Sequence, residues 1–470
     1  MKTKGFIAIL LAALMLLCGC GVTEQPPMAD PTAAPTAAPT QQAAHHEHEG
    51  YLIAQPLSHE YAADPNSIVD ESGYADMDKY EELHKAWNEQ MKARREAAKA
   101  APDMKAFTES MLRELIEQSA GGNIVFSPAN IYMALAMLAE CTDGDTRAEI
   151  LTALGAADIN ELRASAAAFL KAEPIDDEVS KCAIANSLWL NDIFGFNTET
   201  LERIAEVYEG SSYWGDPMDP GFSQALRDWL NAATGDLLKE SVDGVEIPPE
   251  TVFAIASAIY FKAAWADEYA KNATDRMTFH APGGDIEADF MHKTETGNYF
   301  KGEGFSAYRE PLKDGAGSMW FLLPDEGVSV EEMMTGKGLE FMYADKDALE
   351  HGNAHVHVSM PKLDVSSEIG LIDALKGMGL ASCFDPSRSD FTPILSDADE
   401  LFVTDAIHAA RVKTDEEGVE AAAFTIIYAA NGMAMPEEEV YFTLDRPFAF
   451  VITGQSTAPL FMGIVNAPMD

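Results

Sequence analysis

Few side chains in this sequence stand at spacings that support catalysis. His351, His355 and His357 lie close together, and the last two alternate as residues on one face of a strand do. Grouped imidazoles can ligate zinc, but a polar strand face is the plainer reading. His45-His46-Glu47-His48-Glu49 offers a second set of metal-ligating side chains, in a stretch that otherwise reads as solvated linker. Gly454-Gln455-Ser456-Thr457-Ala458 falls short of the Gly-x-Ser-x-Gly turn that exposes a nucleophilic serine. Gly377-Met378-Gly379 lacks the third glycine of a dinucleotide fingerprint, and neither a His-Glu-x-x-His zinc helix nor a phosphate-binding Gly-x-x-x-x-Gly-Lys occurs. Beyond Cys20 only Cys141, Cys182 and Cys383 remain, an odd number at wide intervals. That spacing builds neither a disulfide framework nor a zinc site, so they read as small buried hydrophobes. No catalytic residue, metal or cofactor is expected, and an enzyme would need a site that no motif here announces.

One segment is locally contradictory. Glu416-Glu417-Gly418-Val419-Glu420-Ala421-Ala422-Ala423-Phe424-Thr425 begins as a helix former, with alanines and glutamates. It then runs into Thr425, Ile426 and Ile427, which favour a strand. Gly418 supplies a backbone pivot. The plain reading is a helix ending in a loop; the sharper one is a hinge whose small side chains let it become a strand in a crowded sheet.

The elements that must position such a hinge fill a long chain. It has 470 residues, 47% of them hydrophobic, and a formal charge of −45. So acidic a surface repels nucleic-acid phosphates, so no nucleic-acid partner is expected. Met1-Lys2-Thr3-Lys4 is basic, and Phe6 to Leu17 is almost wholly apolar but short for a membrane span. Leu17-Cys18-Gly19-Cys20 resembles the lipobox of bacterial lipoproteins, with Cys20 as the lipid-bearing residue; an ordinary cleaved signal peptide is the alternative. Residues 1–19 are thus expected to be a leader, and residues 20–50, with their Pro-Thr-Ala-Ala repeat, an extended tether. Residues 51–102 form a partly helical extension: Tyr74 to Lys99 reads as a charged helix with a thin apolar stripe, weakly docked, and Pro102 ends it. Residues 103–470 mix helical runs such as Ile131 to Glu140 with β-rich runs such as Val252 to Phe261, Met319 to Leu323 and Phe448 to Thr453. Their irregular alternation points to an α+β fold rather than a doubly wound one.

The hinge segment resembles that of the serpin reactive loop, and further motifs fall in the order that family has. Asn123-Ile124-Val125-Phe126-Ser127-Pro128 is similar to its early helix start, and Ala258-Ile259-Tyr260-Phe261-Lys262-Ala263-Ala264-Trp265 to its central strand. Met360-Pro361-Lys362-Leu363, Phe384 to Phe391, Asp445-Arg446-Pro447-Phe448 and Leu460-Phe461-Met462-Gly463 match later segments. The resemblance spans about Asp103 to Pro468 and implies a serpin fold, with many helices, a large main sheet, two further sheets and an exposed loop. It also implies a monomer that traps serine, and by extension cysteine, proteases. The protease attacks the loop, an acyl-enzyme forms, and the cleaved loop enters the main sheet. A serpin without inhibitory activity, acting as a surface binding protein, is the alternative.

On this resemblance Val419, Ala421, Ala423 and Thr425 would turn inward on insertion, and Glu420, Ala422, Phe424 and Ile426 outward. Phe424 is bulkier than the family norm. The region where the sheet opens would comprise Ser127, Asn130, Ser257, His408 and Trp265. Asn130 and Ser257 stand where the family has Ser and Asn, either two independent substitutions or an exchange that keeps an Asn–Ser hydrogen bond with the residues swapped. The reactive bond would join Gly432 to Met433, or Met433 to Ala434. No basic residue flanks it, so elastase-, subtilisin- or chymotrypsin-like enzymes are the expected partners, together with a membrane reached through lipid on Cys20.

Overall fold

The computed structural model describes residues 10–20, 51–56, 62, 76–176, 179–235, 238–344, 354–395, 401–419, 438–456 and 458–469. The chain opens with β1 (Leu10–Cys20) and β2 (Leu52–Ala54), then α1 (Met77–Ala98) and α2 (Lys105–Gln118). It continues through β3 (Ile124–Phe126), α3 (Pro128–Glu140), α4 (Gly144–Leu154), α5 (Ile159–Ala172), β4 (Ile175–Asp176) and β5 (Lys181–Asn191). Next come α6 (Thr198–Tyr208), β6 (Gly210–Gly215), α7 (Pro220–Ala233), α8 (Lys239–Val242) and β7 (Thr251–Ala264). The middle of the chain supplies β8 (Asp275–Ala281), β9 (Gly284–Thr296), β10 (Tyr299–Lys301), β11 (Phe305–Pro311) and β12 (Ser318–Pro324). It closes with α9 (Val330–Met334), α10 (Lys337–Met342), β13 (Ala354–Pro361), β14 (Leu363–Gly370), α11 (Ile372–Gly377), β15 (Leu401–Thr414), β16 (Gly418–Val419), β17 (Glu438–Thr443), β18 (Phe448–Thr453) and β19 (Pro459–Val465).

Among the described residues the strands form three sheets. The main one has the order β14-β15-β1-β7-β5-β6-β2, with β16 added to β7 and β4 to β5. A second runs β10-β11-β12-β18-β19-β3, and a third β17-β13-β9-β8. Helices lie among them without regular alternation, so the architecture is α+β, as the irregular pattern predicts.

Local sequence explains how the helix under the main sheet is set. The Ser127 hydroxyl accepts from Asn130 N at 3.1 Å and caps α3, while Pro128 takes the first turn, where its missing N–H costs nothing. Every residue of α3 is buried, as expected of a helix apolar all round. The opposite face of the sheet is covered by α7, where Trp189, Tyr213, Phe222, Leu226 and Leu230 form a second apolar cluster. The main sheet is therefore buried on both sides, which explains why β7 reads Thr-Val-Phe-Ala-Ile-Ala-Ser-Ala-Ile-Tyr with no outward polar alternation.

The N-terminal extension is tied down at two places. β2 pairs with β6 and forms the edge of the main sheet, and the Tyr51 hydroxyl donates to Asp219 at 2.8 Å. α1 lies against α5 through Arg94, 4% exposed, whose guanidinium donates to the carbonyls of Ala172 (2.9 Å) and Glu173 (3.1 Å). The sequence pattern implied weak docking; the docking instead runs through a buried cation that no apolar stripe reveals.

Candidate functional site

β15 leaves the main sheet at Thr414, and the next three residues are held rather than loose. Trp265, buried at the end of β7, donates from its ring Nε1 to Asp415 O (2.8 Å) and from its backbone to Glu417 O (3.2 Å). Tyr269 N donates to Glu416 O at 2.9 Å. The Glu416 carboxylate accepts from Thr274 Oγ1 and pairs with Lys362 Nζ, both at 2.7 Å. Burial pushes the Glu416 carboxyl up, but Lys362 and Thr274 outweigh it and hold it below the usual range. Burial raises Asp415, and the neighbouring Glu417 and Glu416 charges push the same way against its backbone hydrogen bonds. Glu417 forms an ion pair with Lys271.

Beneath this junction sits a buried acid. Glu310 receives Lys293 Nζ (2.6 Å), Tyr269 OH (2.7 Å) and Tyr308 OH (3.2 Å). Burial raises its carboxyl to about 7, against the pull of Lys293. Tyr269 thus joins the buried acid through its hydroxyl and the hinge through its backbone.

At Gly418 and Val419 the chain turns back into the sheet as β16, antiparallel to β7, with Gly418 opposite Ala264 and Val419 opposite Ala263. Gly418 has φ +150°, and a Cβ there would stand 2.6 Å from Ala263 O, so the position excludes any side chain. Val419 is fully buried. Glu420, Ala421, Ala422, Ala423, Phe424 and Thr425 lie outside the described residues, as do Gly432, Met433 and Ala434.

The other sequence-predicted residues meet lower down, at the middle of β7 and β15. Ser127 N donates to His408 Nε2 (3.0 Å), and Ser127 Oγ donates to Leu460 O (2.5 Å). Asn130 Nδ2 donates to Ser257 Oγ at 2.9 Å. Ser127, Asn130, Ser257 and His408 are all fully buried, so α3 reaches both strands through polar side chains. Trp265 does not join this group; it belongs to the hinge. β1 lies between the two strands, and Leu14 is the residue paired with both Ser257 and His408. Sequence reading singled out Cys20, and the structure places it at the end of β1 opposite Leu401. It did not foresee that Leu10–Cys20 would be a strand, because an apolar run ahead of a lipobox-like motif reads first as export information. The support from Lys362, Thr274, Tyr269 and Glu310 was also missed; it comes from distant elements with no shared motif.

Cys141, Cys182 and Cys383 are buried and free. Burial raises all three thiols, Cys383 to about 12, so none is a reactive thiolate at neutral pH. His355 and His357 lie on β13, where His357 bonds to Glu439 (2.6 Å) and stacks on Tyr441, a polar strand face.

A family model, Serpin (serine protease inhibitor), matches residues 102–468. An uncharacterized serpin-like protein of Thermococcus kodakarensis is 29% identical over 78% of this chain and 85% of its own length. A putative serpin of Oryza sativa subsp. japonica is 29% identical over 75% of this chain and 92% of its own. Among solved structures, the thermophilic serpin tengpin in its native state superposes with a TM-score of 0.66 at 27% identity, over 77% of this chain and 94% of its own. Arabidopsis AtSerpin1 in its native stressed conformation gives 0.65 at 22% identity over 80% and 98%, a likeness of fold. The held hinge, the three sheets and these matches lead to one conclusion: the chain belongs to the serpin family.

Proposed function

We propose that this chain is an exported, lipid-anchored inhibitor that traps serine proteases of elastase-, subtilisin- or chymotrypsin-like specificity by inserting its cleaved loop beside β7. One observation carries the reading: Gly418 and Val419 are already paired with β7, and with β1 gone from beside β7 the register they set would run on along that strand. Continued residue by residue, it would put Thr425 opposite Ser257 and Asn431 opposite Thr251, the first residue of the strand. β7 has 14 residues, and Gly418 to Asn431 is a stretch of the same length. The expected reactive residue Gly432 would therefore stop just past the strand, carried about 45 Å from the hinge at roughly 3.3 Å per residue. Acyl transfer would leave Gly432 esterified to the protease serine and Met433 with a new amine. Insertion must outrun hydrolysis of that ester, and the strand gained supplies the driving force.

Incubation with elastase, subtilisin, chymotrypsin and trypsin should give a band resistant to boiling in detergent with one of the first three and none with trypsin. Val419→Arg is the control. A charge forced into the space Val419 fills costs several kcal/mol when unpaired, so the variant should be cut at the same bond and form no adduct. An adduct as abundant with Val419→Arg as with the parent would refute insertion.

A further inference from the structure

β1 lies in the slot between β7 and β15, which has room for one strand, and an inserting loop would need the same place. The register set by Gly418 opposite Ala264 would bring Ala421 opposite Phe261, Thr425 opposite Ser257 and Tyr428 opposite Ala254. β1 holds those same positions: Leu10 faces Phe261, Leu14 faces Ser257 and Leu17 faces Ala254. It is antiparallel to β7 and to β15 alike, so it runs in the direction the entering loop would take. A strand at the centre of a sheet buried on both faces must be continuously apolar, and the 11 residues of β1 carry no charge. With β1 in place, the ladder groups of β7 and β15 that face the slot are paired from Leu10 to Cys20, apart from irregularities near Cys18. Entry of the loop would then exchange one ladder for another instead of adding one. The gain that drives insertion largely disappears.

We propose that Leu10–Cys20 is an intramolecular occupant of the loop-insertion slot, so that a chain retaining it is idle and a chain freed of it can insert. Its inhibitory consequence rests on the function proposed above; the occupancy itself does not. Removal needs one hydrolysis, water adding across the Gly19–Cys20 bond to leave a Gly19 carboxylate and a Cys20 amine. That cut detaches every rung of β1 except the one at Cys20.

The test uses the full chain and a synthetic peptide with the sequence of residues 419–430. In the parent, amides of residues 10–20 should exchange with deuterium at least about 1,000-fold more slowly than in a free peptide, and the peptide should not bind. In the full chain carrying Ala13→Pro and Leu16→Pro, which removes two ladder donors, the peptide should bind at one equivalent and raise the melting temperature. Residues 10–20 exchanging at the free-peptide rate, or a parent that takes up peptide within about twofold of the variant's rate, would overturn the proposal. Should the double proline variant not fold, exchange in the parent decides alone. A variant that takes up peptide yet traps no protease would sink the inhibitor reading and leave this one standing.

Discussion

At the scale of single residues, the pair beneath the slot is open to a direct test. Asn130 and Ser257 are fully buried and joined at 2.9 Å. Asn130→Ala or Ser257→Ala strands the partner, which costs about 1–3 kcal/mol. The double exchange Asn130→Ser with Ser257→Asn should recover much of that in urea unfolding, and strictly additive losses would show that the bond contributes nothing. Both residues stood out in the sequence because their identities were swapped relative to the family. Glu310 did not, since nothing along the chain announces that Lys293, Tyr269 and Tyr308 converge on it. With its carboxyl raised from 4.5 to about 7, folded Glu310 holds a proton between those values that the unfolded chain has lost. Its contribution to stability is therefore full below about pH 4.5 and is lost as pH rises through about 7. Glu310→Gln should remove that slope, so the difference in melting temperature between parent and variant should change between about pH 5 and pH 8. A constant difference would mean that Glu310 does not titrate there.

At the scale of elements, the regular pieces were legible where pattern alone makes them. The boundary of α3 follows from Ser127 and Pro128, and β7 from its unbroken apolar run. The charged helix expected over Tyr74 to Lys99 is α1, Met77–Ala98. Its anchorage was not legible, because periodicity counts apolar side chains and Arg94 is a cation. Arg94→Ala would leave the carbonyls of Ala172 and Glu173 without these donors in a closed site, at a cost of about 1–3 kcal/mol. Glu173, buried with a raised carboxyl and hydrogen-bonded to Ser456 N at 2.8 Å, would also lose its nearby cation. The variant should melt lower and be clipped within α1 by dilute protease while the serpin body stays intact. Unchanged clipping would show that β2 and Met91, the other buried residue of α1, suffice to hold the extension.

At the scale of the whole molecule, the main sheet has two ends with different occupants. The hinge joins β7 at Ala264, whereas Gly19 is paired with Thr251 at the far end. Tyr51, where the extension begins, bonds to Trp214 beside that same far end, next to Gly215 and Asp192. Sequence order hid this, since residues 20 and 51 precede everything else and carry no sign of which end they approach. Cys20→Ala should release the protein from the membrane fraction, and retention there with unchanged lipid labelling would remove the anchor from the proposal.

The position of Tyr51 has a consequence for clearance. Insertion would deliver the captured protease to the far end of β7, the end that Gly19 and Tyr51 both approach. An inhibitor anchored through Cys20 would thus end with its captive between itself and the lipid surface. Thirty residues separate Cys20 from Tyr51, and fully extended they span at most about 100 Å, about twice the diameter of a small protease domain. The repeats of proline, threonine and alanine would then act as a standoff, sized to admit a second globule beneath the first.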